Sequence, residues 1–244
     1  MPAEVTTTVN ATYEGHVERL DTSGSTINWL TTTRNATTGT TATTVGGIKT
    51  YGTPRSYYVL EKGTYLSYNS RTFFFFDLSG VGGTITAATL KVYNTGGAIT
   101  DDIECVEATA WGGDGTTSTM STADYDEVAL LGTGSSYSSL LTWAGGGAYN
   151  NFTLNATAIS DMNTNGYLNC ALLTQDIDYR GTAPSLGTDV NFQVRFKDSS
   201  NPIYLDITYT PAGWDLDVNG VVNSAIVSIN NVTEADIINV IGAS

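Results

Sequence analysis

Apolar and polar residues alternate along much of this chain, in short runs that glycine-rich stretches separate. The alternation has a period of two, which is the pattern of β-strands that bury one face and expose the other. It is clearest in the segments TITAATLKVYN, DIECVEATAW, YNNFTLNATAI and PIYLDITYTP. Glycine pairs or triplets mark turns between such segments, at Gly82-Gly83, Gly96-Gly97, Gly112-Gly113 and Gly145-Gly146-Gly147. Many short strands of this kind predict an all-β fold, an antiparallel β-sandwich.

One segment predicts a short helix among these strands. In NATAISDMNTNG, Asn155 is of the type that caps a helix N-terminus, and Asn165-Gly166 is of the type that ends a helix. We therefore expect one helix between the strand-like segments on either side of it.

Four consecutive phenylalanines occur in the segment RTFFFFDLSG. In a strand, Phe74, Phe76 and Leu78 share one face, and we predict that this face belongs to the core. The other face carries Arg71 and Asp77, which are polar residues of the kind that usually marks an outward surface.

Phe73 and Phe75 share that second face. Two exposed phenylalanines would form an aggregation-prone patch, so we predict that a second layer covers them. The first candidate for this cover is the threonine-rich N-terminal segment, residues 10–50, which itself needs a surface to pack on. The other candidates are the C-terminal segment and a neighbouring subunit, in which case Phe73 and Phe75 are interface residues.

After Pro211 the strand-like alternation is replaced by a short repeat. We therefore predict a sandwich domain at residues 1–211 and a separate segment at 212–244. In that segment VNGVVNSAIVS, INNVTEADIIN and VIGAS align as a degenerate repeat of about 11 residues. Such units are too short to bury their apolar side alone, so we expect them to dock onto a partner or to form oligomers. The apolar positions predicted for this contact are Val218, Val221, Ile226, Ile229, Val232, Ile237 and Val240.

The start of the C-terminal segment, DLDVNG, resembles the opening of a calcium-binding loop. Oxygen-bearing side chains alternate at Asp215, Asp217 and Asn219, and Gly220 supplies the sharp turn. The closing carboxylate is missing, because Ile226 stands where it is required. The repeat also accounts for the Asn-Gly pair without a metal. We therefore expect no cofactor, with calcium at these residues as the alternative.

The composition indicates the setting of the protein. Only 14% of the 244 residues are charged, so the surface must consist largely of Thr, Ser, Asn and Gly, as in extracellular or virion β-proteins. The net charge of -14 argues against binding to nucleic acid or to anionic membranes, since both require Lys and Arg. The N-terminus does not resemble a signal peptide. Either a signal has been removed or the protein reaches the outside by another route, as a virion component does.

Cys105 and Cys170 lie in apolar, strand-like contexts, DIECVEA and YLNCALLT. Two cysteines do not define a disulfide framework. The sequence fits two buried free thiols, and it also fits one bridge between them.

The sequence offers little catalytic chemistry. His16 is the only histidine, and no HExxH, CxxC, GxSxG or P-loop motif is present. We therefore predict that the protein is not an enzyme.

Aromatic residues are the best indication of a binding function. Tyrosine and tryptophan have flat apolar faces with polar tips, which suits them to stacking on sugar rings. Trp111 and Trp143 lie beside glycine-rich turns, and Tyr57 and Tyr58 are adjacent in a strand, so one of that pair must face outward. These four residues are the predicted glycan-binding candidates.

Several segments resemble a known family, namely FFFFDLSGVGGTITAATLKVYN, YNNFTLNATAI and RFKDSSNPIYLDITYTP. They are similar to successive strands of DNRLRE-type domains, which are β-sandwiches related to carbohydrate-binding modules. The resemblance covers roughly residues 10–211. It implies a jelly-roll-like fold and, in many members, glycan binding, but no fixed catalytic set.

The C-terminal repeat resembles units that follow such domains in phage structural proteins. Together the two resemblances indicate a virion surface protein: a capsid decoration protein, a head fibre or a tail-associated protein. Its expected partners are other virion proteins, further copies of itself and surface glycans. The alternative is a secreted carbohydrate-binding or cell-surface adhesion module with a degenerate dockerin-like C-terminus.

Overall fold

Antiparallel strands are the main element of the fold. The computed structural model describes residues 4–44, 51–52, 55–96, 102–138, 147–191, 193–195, 200–212, 228–229 and 232–233. The strands of the two main sheets are β1 (Val5–Asn10), β2 (Tyr13–Ser23), β3 (Thr41–Thr44), β4 (Tyr51–Gly52), β5 (Arg55–Glu61), β6 (Thr64–Asp77), β7 (Gly83–Gly96), β8 (Ile103–Glu107), β9 (Ala148–Thr153), β10 (Tyr167–Thr174), β11 (Thr188–Asn191), β12 (Gln193–Arg195) and β13 (Tyr204–Pro211).

The long strand β6 is the centre of a seven-stranded sheet. β2 pairs along one edge of β6, while β5 and then β10 share its other edge. β3 lies beyond β2, β11 beyond β5 and β8 beyond β10.

The long strand β7 is the centre of a six-stranded sheet. β13 and β12 share one edge of β7, and β9 pairs along the other. β1 lies beyond β13, and β4 lies beyond β12. All the pairings between the described strands of both sheets are antiparallel, as the sequence predicted.

The two sheets pack face to face around one apolar core. The seven-stranded sheet contributes Phe74, Phe76, Leu168 and Leu172, among others, and the six-stranded sheet contributes Leu90, Val92, Phe152, Leu205 and Ile207. Along each strand these core residues alternate with residues of the outer face. The predicted all-β antiparallel sandwich is therefore confirmed, including the core position of Phe74, Phe76 and Leu78.

Phe73 and Phe75 are covered by a second apolar cluster on the outer face of the seven-stranded sheet. Both are buried, with exposed fractions of 0% and 4%. Their cover comes mainly from Trp111, Met120 and Tyr125 in the segment that follows β8. The prediction of a sheet covered on both faces is confirmed, but Phe73 and Phe75 are buried within the chain itself, which contradicts an interface role.

The expected cover by the N-terminal segment is wrong for most of this cluster. β2 lies beside β6 in the same sheet, because the two strands are hydrogen-bonded from Tyr13–Phe75 to Ser23–Tyr65. A strand that pairs edge to edge cannot also lie over the face of its neighbour. Of the N-terminal segment, Val17 on β2 belongs to the cluster, and Tyr13, Ala36 and Ala42 pack against it.

Arg71 is buried on the same outer face, where the sequence predicted a solvated residue. Its guanidinium makes a bidentate pair with Asp178, with Nε–Oδ2 at 2.8 Å and Nη2–Oδ1 at 2.7 Å. It also donates to the backbone oxygens of Tyr125, at 2.5 Å, and Arg34, at 2.9 Å. Full pairing makes burial of the charge tolerable. The prediction for Asp77 holds, because that side chain is exposed.

The predicted helix is present as α1 (Ala156–Asn165). The Asn155 side chain accepts hydrogen bonds from the backbone N–H groups of Thr157 and Ala158, at 3.0 and 3.1 Å. Gly166 ends the helix in the left-handed region, at φ 73°. These are the cap and the stop that the sequence predicted. Among the described helices, none has the length and apolarity needed to cross a membrane.

Cys105 and Cys170 are two free, buried thiols in the sandwich core. They lie diagonally across β8 and β10, since Cys105 is opposite Leu172 and Cys170 is opposite Glu107. A hydrogen bond to Cys170 and burial together raise the pKa of the Cys105 thiol well above its ordinary value. Of the two possibilities left open by the sequence, the structure has the unbridged one.

Most of the predicted C-terminal segment, 212–244, lies outside the described residues. Two short strands in it are described, β14 (Ser228–Ile229) and β15 (Val232–Thr233), and they pair with each other on either side of Asn230-Asn231. The remaining predicted contact positions, Val218, Val221, Ile226, Ile237 and Val240, lie outside the described residues.

Candidate functional site

Three tyrosines cluster on the outer face of the six-stranded sheet, and we call them the tyrosine face: Tyr93 on β7, Tyr149 on β9 and Tyr204 on β13. The ring centroids of Tyr93 and Tyr149 are 5.2 Å apart at an interplanar angle of 72°, and those of Tyr149 and Tyr204 are 5.4 Å apart at 70°. Edge-to-face contacts of this kind stabilise aromatic pairs. All three side chains are half-buried, so part of each ring remains accessible to solvent.

Strand pairing explains why these tyrosines meet. On each strand the tyrosine is flanked by buried residues, such as Val92 beside Tyr93 and Leu205 beside Tyr204, so its side chain points away from the core. Tyr93 is directly opposite Tyr149 in the β7–β9 register. The Tyr204 ring reaches Tyr149 across the intervening strand β7. The cluster therefore depends on three strands that are distant in sequence.

Polar groups surround the tyrosine face. Lys91 lies opposite Tyr204 in the β7–β13 register, and its Nζ is 3.4 Å from Oδ2 of Asp206. The Tyr149 hydroxyl donates to the backbone oxygen of Pro202 at 3.0 Å, which fixes the central ring. Asn151 on β9 is exposed and lies opposite Lys91. The arrangement places accessible aromatic rings next to an ammonium, a carboxylate and an amide, which can bind hydroxyl groups.

The predicted platform residue Trp111 lies in a different place. Its exposed fraction is 1%, and its ring packs edge-on against Phe73 at a centroid distance of 6.3 Å. A buried indole has no free face for a sugar ring, so its burial contradicts the predicted role. Trp111 instead forms part of the cover over the phenylalanines. The other predicted tryptophan, Trp143, lies outside the described residues.

Tyr58 is half-buried and packs against the sandwich core. Its ring stacks on Tyr65 at 6.0 Å and 26°, and its hydroxyl accepts a hydrogen bond from the backbone N–H of Ile27 at 3.2 Å. Tyr57 lies opposite Tyr68 in the β5–β6 register, and only its backbone is described. The Tyr58–Tyr65 pair is therefore a second, smaller aromatic group. It lies on the seven-stranded sheet, whereas the tyrosine face lies on the six-stranded sheet.

The predicted calcium loop, Asp215, Asp217 and Asn219, lies outside the described residues. Within the described ranges, no group of three or more His, Cys, Asp or Glu side chains is arranged to hold a metal ion.

A polar cleft of about 610 Å³ lies beside β8. Its buried carboxylate, Glu104, accepts hydrogen bonds from the Ser136 hydroxyl and, at 2.9 Å, from Nε2 of Gln175. Both carboxylate oxygens are thus engaged by neighbouring side chains, and we interpret this group as structural.

A small cavity of about 70 Å³ lies between the end of α1 and the segment after β8. Glu107, Asp161 and Asn169 line it, together with Tyr137 and Asn165. Burial, the hydrogen bond from the Tyr137 hydroxyl to Asp161 and the charges of both carboxylates raise the pKa of Tyr137. The negative charges of Glu107 and Asp161 therefore both act on the Tyr137 hydroxyl.

Compared with known proteins, the chain matches no protein-family model and no curated protein sequence. The resemblance to DNRLRE-type domains therefore stays a prediction.

The tyrosine face was missed by the sequence-based prediction, although a signal for it was present. In TLKVYN the leucine and the valine take the buried phase, which assigns Tyr93 to the outer face. Phe152 and Leu205 take the buried phase in the same way. This assigns Tyr149, on the strand of Phe152, and Tyr204, directly before Leu205, to the outer face. The alternation thus identifies outward tyrosines one at a time, but only the strand order shows that they are neighbours.

Proposed function

We propose that this protein is a non-enzymatic, glycan-binding β-sandwich that is displayed on a virion surface. The observation that carries the proposal is the tyrosine face: three partly accessible aromatic rings on the solvent side of a rigid sheet. The seven-stranded sheet covers most of its outer face with apolar side chains of the same chain, and its half-buried Tyr13 and Tyr167 pack against the buried Phe75.

The chemistry of the tyrosine face favours a neutral sugar. Tyrosine rings bind the apolar faces of pyranose rings, and the hydroxyl groups at the rim of a sugar need polar partners. Lys91 and Asp206 offer both a donor and an acceptor within one site. The net charge of -14 repels polyanionic polysaccharides over long range, which makes a neutral hexose polymer the better ligand class.

The virion setting rests on the sequence. A surface rich in threonine, glycine and asparagine, the phage-like C-terminal repeat and the expected oligomerisation favour a capsid decoration protein, a head fibre or a tail-associated protein. The alternative, a secreted adhesion or carbohydrate-binding module, uses the same tyrosine face and differs only in where the protein is found. Mass spectrometry of purified particles separates the two, because only a virion protein co-purifies at fixed copy number.

The glycan-binding part of the proposal is tested by affinity electrophoresis of the full chain in gels that contain neutral polysaccharides. We expect retardation by at least one neutral hexose polymer. Tyr149→Ala removes the central ring, which touches both others, and should weaken binding by roughly tenfold or more, which is about 1.4 kcal/mol for each factor of ten.

The matched control is Tyr65→Ala, which removes a tyrosine of the Tyr58–Tyr65 pair in the other sheet. It should leave the retardation unchanged. Loss of binding in Tyr65→Ala with retention in Tyr149→Ala would move the site to that pair. If no neutral polysaccharide retards the wild-type chain, the glycan-binding proposal is wrong. Far-UV circular dichroism of each variant confirms that it is folded.

A further inference from the structure

A groove of about 410 Å³, which we call the β6 groove, lies at the end of the sandwich where β6 finishes. Phe75 lines it between the half-buried rings of Tyr13 and Tyr167, at centroid distances of 5.8 and 5.3 Å. The strand register places all three rings on the outer face, because Tyr13 is directly opposite Phe75. Tyr167 is directly opposite Asp77, which is two residues further along β6 and so shares that face. Neither tyrosine hydroxyl makes a hydrogen bond to a described residue, so both are available to a ligand.

Two carboxylates lie at the rim of the β6 groove. Gly115, in the segment after β8, lies against the Phe75 ring, since a Cβ on it would be 2.5 Å from Cζ of that ring. Asp114 directly precedes Gly115, and both Asp114 and Asp77 are exposed and line the groove. Hydrogen bonds from the residue two positions further on lower the pKa of each of these carboxyls. Both side chains are therefore ionised at neutral pH.

No described cation balances these two charges. No described Lys or Arg lines the groove or lies within ion-pair distance of Asp77 or Asp114. Asn165, which also lines the groove, is the last residue of α1, where unpaired backbone carbonyls add a partial negative charge. A metal ion is a poor candidate for the occupant, because nowhere in the described ranges do three His, Cys, Asp or Glu side chains come together to hold one. The charge of the groove therefore favours an organic cation.

We propose that the β6 groove binds a quaternary ammonium group between the rings of Tyr13 and Tyr167 and the carboxylates of Asp77 and Asp114. Aromatic rings attract cations, and quaternary ammonium ligands are recognised by several rings together. A primary ammonium fits less well, because it is a compact and strongly hydrated charge. The groove has a volume typical of small-molecule sites, and the net charge of -14 attracts cations to the chain. The groove lies on the other sheet from the tyrosine face, so the proposal does not depend on glycan binding.

An NMR titration of the full chain with choline chloride tests this site, with the backbone amides of Gly115 and Gly166 in the groove as reporters. We expect both amide signals to shift and to saturate. The uncharged analogue 3,3-dimethyl-1-butanol has the same shape as choline and should bind roughly tenfold more weakly, as should the primary amine ethanolamine. Asp77→Asn and Asp114→Asn each keep the side-chain shape and remove one charge at an exposed position. Each should therefore weaken choline binding by roughly threefold.

Further variants separate the rings from the charges. Tyr13→Leu keeps apolar packing on Phe75 but removes one ring, and it should also weaken choline binding by roughly threefold or more. Glu61→Gln, at an exposed carboxylate on β5, is the control and should bind choline as the wild type does. If the uncharged analogue binds as tightly as choline, or both aspartate variants bind choline normally, the groove does not recognise a cation and the proposal is wrong. Loss of choline binding in Tyr149→Ala alone would place the cation on the tyrosine face, which also overturns the proposal.

Discussion

Removing the carboxylate of Asp178 should destabilise this protein more than any surface substitution. Asp178 and Arg71 form a fully buried pair, with side-chain exposures of 0% and 1%. In Asp178→Ala the guanidinium keeps its charge, loses two charge-assisted hydrogen bonds and cannot reach solvent. Breaking a buried pair in this way costs about 3–5 kcal/mol, which is a large fraction of the roughly 5–15 kcal/mol that stabilises a typical domain.

Urea-induced unfolding, followed by circular dichroism and tryptophan fluorescence, measures this effect. With an m-value of about 3 kcal/mol/M, the midpoint of the Asp178→Ala variant should fall by roughly 1–2 M. The matched control is the pair Arg180–Asp176, which has the same chemistry but side-chain exposures of 45% and 56%. Asp176→Ala should change the free energy of unfolding by about 1 kcal/mol at most.

A double variant tests whether the cost comes from the uncompensated charge. Arg71→Met combined with Asp178→Leu removes both charges and keeps the site filled, so it should be less destabilised than the sum of the two single variants. It should not regain wild-type stability, because the backbone oxygens of Tyr125 and Arg34 lose their donor. Strict additivity of the two single variants, or a cost below about 1 kcal/mol for Asp178→Ala, would refute the reasoning.

Two further predictions concern the core. Gly115 has φ +73°, and a Cβ there would lie 2.5 Å from the Phe75 ring, so Gly115→Ala should lower stability in the same urea assay by about 2 kcal/mol or more. Gly63→Ala is its control, since Gly63 has φ +82° but no atom within 4 Å of the added Cβ, and an equal loss in both variants would show that packing on Phe75 is unimportant. Cys105 and Cys170 are both buried, and burial and a hydrogen bond to Cys170 raise the pKa of the Cys105 thiol, so a thiol reagent at neutral pH should label both only after unfolding. Rapid labelling of the folded chain would contradict the buried positions.

The sequence predicted those parts of the fold that depend on local pattern. Alternation with a period of two assigned the strands and separated Phe74 and Phe76 from Phe73 and Phe75. The Asn155 cap and the Gly166 stop defined α1, because both act through backbone groups within a few residues.

The parts that the sequence did not predict depend on contacts between distant residues. The segment that covers Phe73 and Phe75 has few strands and many turns, so no periodicity identifies it as a layer. Arg71 has the pattern of a solvated residue until Asp178, 107 positions later, is placed beside it. Trp111 lies next to two glycines, a context that suits an exposed turn equally well, and its burial follows only from the fold of that segment.

The difference between the two sheets bears on where a ligand can bind. Each sheet of a sandwich has an inner face and an outer face. The segment after β8, which includes Tyr125, covers the outer face of the seven-stranded sheet, and the Arg71–Asp178 pair is buried on that same face. The outer face of the six-stranded sheet keeps exposed threonines and the tyrosine face. Contiguous exposed apolar patches mark binding sites, whereas single exposed apolar side chains need no such explanation. Among the described residues no segment covers the tyrosine face, which is therefore the first place to test for the proposed glycan binding.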